Sequence, residues 1–188
     1  MKGKLVIISG PSGAGKTTIV RHLLDSGLNL AFSISATTRE PRKGEKHGTD
    51  YFFLTVKDFR QKIEDGEFAE WEEVYKDVLY GTLKSEMNRI WNSGCHVLFD
   101  VDVMGGINLK KAFGNRAIAL FIMPPSVKDL RKRLAGRASE TPDSLKMRID
   151  KAEEEMLLAN QFDSIIVNKI LDVAKEEVLQ RVRSFIEM

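Results

Sequence analysis

The stretch Gly10-Pro11-Ser12-Gly13-Ala14-Gly15-Lys16-Thr17 constrains this chain more than any other feature. It satisfies the spacing G-x-x-x-x-G-K-[ST]. It also lies between the apolar run Leu5-Val6-Ile7-Ile8 and a helical pattern carried by Ile19, Val20, Leu23 and Leu24, which Gly27 stops. An apolar run ending in glycine suits a strand buried on both faces of a parallel sheet. The glycines let the backbone close into a ring whose N–H groups converge on phosphate oxygens beside a helix N-terminus. Lys16 adds a full positive charge for the outer phosphates, and the Thr17 hydroxyl is suited to ligate magnesium. Strand, phosphate loop and helix are therefore predicted in succession, and with them a triphosphate site. The motif leaves the acceptor open.

The rest of the chain repeats the same texture with one interruption. Val97-Leu98-Phe99 before Asp100, Ala117–Met123, and Ile165-Ile166-Val167 read as further buried strands. Helical patterns fall near 83–92, from Ser126 with Asp129 three residues on, along Leu145, Ile149, Ala152, Met156 and Ala159, and along Leu171, Ala174, Val178, Val182 and Phe185. Strands alternating with helices predict an α/β doubly wound parallel sheet, whose ligands bind beyond the carboxyl ends of its strands. Between 33 and 82 the texture changes to Thr, Tyr, Phe and Gly with alternating apolar residues, which predicts an inserted small domain of short antiparallel strands. Within it Thr55-x-x-Asp58 marks a helix start, Phe59 and Ile63 its face, and Gly66 its stop. The expected organisation is one unit with a core of 1–32, 95–135 and 143–188, an insertion at 33–94, and a short lid at 136–142.

Composition narrows the function classes. A net charge of +2 gives no overall basic field for nucleic acid. No stretch approaches the ~20 apolar residues that span a bilayer. The single cysteine, Cys95, excludes an intramolecular disulfide and suits a reducing compartment, so a cytoplasmic protein is expected.

The segment Ser35-Ala36-Thr37-Thr38-Arg39-Glu40-Pro41-Arg42-Lys43-Gly44-Glu45, followed by Gly48-Thr49-Asp50-Tyr51, sets two arginines in a loop stiffened by proline. Arginine presents a planar fork of donors matched to phosphate oxygens, so the segment reads either as a clasp for a phosphate monoester or as a solvated basic turn. Together with the phosphate loop, Tyr80-Gly81-Thr82, Asp100-Val101-Asp102, Pro124-Pro125-Ser126, Arg133-Leu134-x-Gly136-Arg137 and Val167-Asn168, it resembles the guanylate kinase family, in order and over essentially the whole chain.

The resemblance implies a kinase that moves the γ-phosphate of ATP to GMP with Mg2+, a P-loop NTPase-type fold with an inserted nucleotide-binding domain, and roles for particular residues. Gly10 to Thr17 would cradle ATP, with Asn168 near its adenine. Ser35, Arg39, Arg42 and Tyr51 would hold the GMP phosphate. Glu70, Thr82 and Asp102 would face guanine, with Tyr80 beside the nucleotide. Thr17 and Asp100 would serve magnesium, while Lys16, Arg39, Arg42, Arg137 and Arg148 would act on the transferring phosphate. Guanine alone among the common bases offers N1–H and a 2-amino group side by side, a pair that a carboxylate accepts together.

The chain departs from the family pattern in four places. Ala36 replaces a serine, Ala138 follows Arg137 where glycine is usual, and Lys169 and Ile170 follow Asn168 in place of aspartates. The stretch from Glu70 to Tyr80 carries one residue more than the common form, which makes Glu72 a rival to Glu70. Turns accept insertions more readily than strands, so the extra residue is expected in Lys76-Asp77-Val78. Two other readings stand beside the kinase: an enzyme acting on a different phosphate monoester, such as a ribose bisphosphate, and a catalytically dead scaffold module that binds partner proteins.

Overall fold

The computed structural model describes residues 3–135 and 142–188. In chain order it begins with β1 (Leu5–Ser9), α1 (Lys16–Leu24), β2 (Leu30–Phe32), β3 (Ala36–Thr37), β4 (Phe52–Phe53) and α2 (Val56–Glu64). It continues with β5 (Phe68–Tyr75), β6 (Val78–Leu83), α3 (Lys84–Asn92), β7 (His96–Asp100), α4 (Val103–Phe113) and β8 (Ala117–Met123). The last elements are α5 (Val127–Ala135), α6 (Pro142–Leu157), β9 (Ser164–Val167) and α7 (Leu171–Glu187).

β1 is buried along its whole length because it is the middle strand of a parallel sheet ordered β2-β7-β1-β8-β9. Its alternate side chains feed two separate cores. Leu5 and Ile7 pack with Met87 and Ile90 of α3 and with Val103, Ile107 and Leu109 of α4. Val6 and Ile8 pack on the opposite face with Ile19, Val20 and Leu23 of α1 and with Ala174, Val178 and Val182 of α7. That double burial is why the run carries no polar alternation. Helices α5 and α6 form a smaller apolar contact of their own through Leu130, Leu134, Ile149 and Ala152.

The insertion folds as a second sheet, ordered β4-β3-β6-β5, in which β6 runs antiparallel to both β3 and β5. Its core is Ala36, Phe59, Phe68, Leu79 and Leu83, with Phe59 stacked on Phe68 at 4.3 Å between ring centres. The start of α2 is capped as the spacing predicts: Thr55 Oγ1 accepts from the Asp58 backbone N–H at 3.1 Å. The small sheet ends at Leu83. The next helix, α3, belongs by packing to the main sheet, although 33–94 is expected as one insertion. Glu86 of α3, buried, accepts from the Ile34 N–H at 3.2 Å and so ties the entry of the insertion to its exit.

Two core elements have no counterpart in the sequence reading. β2 is only three residues long, too short for a periodic signal. α4 contains Gly105 and Gly106 and is apolar on most sides, so it lacks the polar face that marks an amphipathic helix. Its start signal was present but read as chemistry: Asp102 Oδ1 accepts from the Gly105 N–H at 2.7 Å as the helix N-cap.

Candidate active site

The carboxyl ends of β1 and β7 lie side by side, Ile8 opposite Asp100, and both motifs open into one cleft of about 520 Å³. One wall is the phosphate loop with Lys16 and Thr17. The opposite wall comes from the small sheet, through Ser35, Tyr51, Glu70 and Tyr80. Asp100 and Asp102 lie between them, and Arg148 enters from α6. Residues 33–82 and the phosphate loop, far apart in the chain, thus share one cavity.

In the loop, Gly10, Gly13 and Gly15 take φ values of 137°, 88° and 99°, in the left-handed region that side chains avoid. Lys16 Nζ folds back to donate to the Gly10 carbonyl at 2.6 Å and to the Pro11 carbonyl at 3.3 Å, which leaves one of its three N–H groups for a ligand. Asp100 is pushed up from the usual carboxylate range by burial, against the opposing pull of Lys16 and a hydrogen bond from the Thr17 hydroxyl. A buried carboxylate beside a threonine hydroxyl is an all-oxygen donor pair that fits magnesium.

Asn168 lies against the loop itself. Its side chain is buried and donates to the Ala14 carbonyl at 2.7 Å, so its amide supports the loop from beneath. Arg133 braces the same point, with Nη2 donating to the Asn168 carbonyl at 2.8 Å. This support makes Gly15 a demanding position. A Cβ there would stand 2.4 Å from Asn168 Nδ2, at a φ of 99°. Gly15→Ala is expected to lose about 2–4 kcal/mol of stability, from the left-handed backbone and a broken buried hydrogen bond, as read by urea denaturation.

On the small-sheet wall, Glu70 pairs across the hairpin with Thr82, and the Thr82 hydroxyl donates to Glu70 Oε1 at 2.7 Å. Glu70 is pushed up to about 7, first by burial and then by the charge of Asp102, with the Thr82 bond opposing. A Cβ at Gly105 would approach Glu70 Oε2 to 3.1 Å, so the bare glycine leaves room for that oxygen to face the cleft. Glu72 is also raised to about 7 by burial and Asp102, but it lines an adjoining cavity with Val103, Met104 and Met147. The β5–β6 turn is the two residues Lys76 and Asp77, with Asp77 at φ 61°, and the register slips twice, between Phe68 and Glu70 and between Glu73 and Tyr75, so Ala69 and Val74 are bulges. A bulge adds a residue without reversing the faces beyond it, and Glu70 keeps its place opposite Thr82.

The arginines divide. Arg39 lies under the cleft beside Tyr51 and Tyr80, with Nε donating to Tyr80 Oη at 3.2 Å and its guanidinium 5.2 Å from the centre of the Tyr51 ring. Burial pushes the Tyr51 hydroxyl up. Arg42 is exposed on the following turn. Arg148 Nη2 donates to Ser12 Oγ at 2.6 Å, tying α6 to the phosphate loop. Arg137 and the expected lid at 136–142 fall on a stretch of which only the α6 start, at 142, lies within the described residues. Lys151 and Glu155, one and two turns beyond Arg148 on α6, also line the cleft and went unread in the sequence. Their signal was the spacing 148, 151, 155 along one helical face.

A family model described as guanylate kinase matches residues 2–187. The chain belongs to the guanylate kinase family. Its relatives include the guanylate kinase of Bacteroides thetaiotaomicron, 54% identical over 99% of this chain and 91% of that protein. The guanylate kinase of Porphyromonas gingivalis is 50% identical over 97% of this chain and 98% of its own length. Among solved structures, guanylate kinase from Anaplasma phagocytophilum superposes with a TM-score of 0.79 at 26% identity, covering 99% of this chain and 87% of that one. The family's fold, a parallel α/β sheet of the P-loop kind, is the one observed. Membership makes this chain an enzyme and a nucleotide kinase.

Proposed function

We propose that the enzyme transfers the γ-phosphate of ATP to GMP, giving ADP and GDP, with Mg2+ and in purine nucleotide metabolism. The observation that carries the reading is Glu70, held by the Thr82 hydroxyl on the wall facing the phosphate loop. A carboxylate there accepts N1–H and the 2-amino group of guanine, while adenine would set its lone pair against the same oxygens. Asp102 lines the same cleft, with Oδ1 capping α4 and its side chain hydrogen-bonded to that of Glu72.

Ser35, Arg39, Arg42, Tyr51 and Tyr80 would hold the acceptor phosphate, and the loop residues 10–17 the donor. Thr17 and Asp100 would hold Mg2+, which when bound would supply positive charge to offset that of the donor phosphates. No general base is required, because a phosphate monoester with a second pKa of about 6 is already largely dianionic. Lys16, Arg148 and Arg137 would then stabilise charge on the transferring group, so catalysis rests on positioning and electrostatics. Asn168 would serve ATP indirectly, by holding Ala14. The reaction and its soluble substrates suit the cytoplasm; among the described residues no helix is long and apolar enough to cross a membrane.

A coupled assay with GMP, dGMP, AMP, CMP, UMP and ribose bisphosphate, with and without EDTA, tests the reading. GMP is expected to lead AMP by at least about a hundredfold in kcat/KM, as for a site built to bond groups the analogue lacks. Equal rates with AMP, or a preference for ribose bisphosphate, would overturn it.

A further inference from the structure

Glu45 has no role in the reaction as derived so far, yet its carboxylate accepts three hydrogen bonds within the arginine loop. Residues 42–45 form a tight turn, with the Glu45 N–H donating to the Arg42 carbonyl at 3.0 Å and Gly44 at φ 93°. That geometry needs glycine at the third position, and it folds the Glu45 side chain back over the loop. Glu45 Oε1 accepts from Arg39 Nη2 at 3.0 Å, and Oε2 accepts from Arg39 Nη1 at 2.9 Å. Oε2 also accepts from the backbone N–H of Arg42 at 2.7 Å. One carboxylate therefore fixes both arginines.

The donor count of Arg39 shows what this does. A guanidinium has five N–H groups. Nε donates to Tyr80 Oη, Nη1 donates to both Glu40 O and Glu45, and Nη2 donates to Glu45, with the plane lying against Tyr51 and Phe53. One N–H, on Nη2, remains. Arg39 is thus a single fixed donor, while the exposed Arg42 keeps a whole fork, since no hydrogen bond occupies its side chain among the described residues.

We propose that Glu45 is the positioning residue of the acceptor-phosphate clasp: it stays bound to Arg39 and Arg42 while the phosphate is held, and so presents one aimed N–H and one free fork to the monoester. The opposite possibility is that Glu45 competes with the phosphate for Arg39 and leaves when substrate arrives. The two differ in sign. A pre-organising carboxylate strengthens phosphate binding, whereas a competitor weakens it. The proposal rests on the acceptor being a phosphate monoester, and on GMP being that monoester only for the choice of assay.

The test is Glu45→Gln, which keeps the shape, sets an amide N–H against the guanidinium and removes the charge. KM for GMP is expected to rise about 10–100-fold, the size of losing charge-assisted hydrogen bonds, with KM for ATP within about twofold. Binding of guanosine, which lacks the phosphate, is expected to stay at the wild-type value. A purely structural role would move guanosine, ATP and Tm together. Glu45→Asp, keeping the charge on a shorter arm, is expected to fall between wild type and Glu45→Gln. An unchanged or lowered KM for GMP in Glu45→Gln would overturn the proposal, the lowered value identifying a competitor. Wild-type enzyme that ignores GMP would sink the substrate reading instead, and the comparison would then be made on whichever monoester it accepts.

Discussion

Lys16→Met lowers turnover some hundred- to thousandfold, the effect of about 3–4 kcal/mol of lost transition-state stabilisation. Methionine keeps the length of the side chain and removes the charge. The fold should survive, because among the described residues Lys16 Nζ donates to two loop carbonyls, Gly10 and Pro11, and Lys16 is not part of the apolar cores. Single-turnover rates at saturating substrate, with circular dichroism and Tm as controls, give the measurement. More than a tenth of wild-type turnover in a folded variant would remove Lys16 from the chemistry.

Glu70→Gln separates function from stability in opposite directions. Glu70 has its pKa raised from 4.5 to about 7 in the folded chain, so folding favours its neutral form. Its stabilising contribution is therefore fully present below pH 4.5 and is lost as pH climbs through 7, the reverse of a salt-bridged carboxylate. An uncharged glutamine escapes that loss, and at pH 8 the variant is expected to be more stable by about 2–3 kcal/mol. It should also lose at least ~2 kcal/mol of its preference for GMP over AMP, since one acceptor becomes a donor facing donors. In the wild type the same titration makes KM for GMP rise as pH falls below 7, approaching tenfold per unit, because guanine needs the ionised form. Glu72→Gln, in the adjoining cavity, should change the preference by under about 0.5 kcal/mol. Denaturation at pH 5 and pH 8 with kcat/KM for both nucleotides decides the assignment, and the reverse ranking of the two variants would transfer it to Glu72.

Much of this arrangement was legible in the sequence, and for physical reasons. The phosphate loop is local chemistry: spacing, glycines and a lysine specify it without reference to the rest of the fold. Leu5-Val6-Ile7-Ile8 announced a doubly buried strand because both its faces had to be apolar. Long-range consequences were less visible. Asn168 reads as a polar residue at a strand end, and only the approach of that end to Ala14 turns it into a support for the loop. Asp102 carried a ligand's appearance while also capping α4, a double use that spacing cannot reveal. The bulge at Val74 escaped because a strand's capacity to absorb a residue depends on its partner's register. Glu45 stood in a recognised motif, but its carboxylate gains meaning only when Gly44 bends it onto Arg39.

The order of the main sheet has a cost that falls on the nascent chain. β1 is made first, yet its two neighbours are β7 and β8, pairing Leu5 with Val97 on one side and with Ala117 on the other. At about 5–20 residues per second of synthesis, the apolar run waits on the order of ten seconds before both edges can be paired. During that time Leu5, Val6, Ile7 and Ile8 have no native place to go, while the insertion can already close its β5–β6 hairpin from local contacts. The small sheet can therefore take shape before the main sheet exists. The strand that bears the phosphate loop is also the segment with the longest exposure to aggregation and to chaperones.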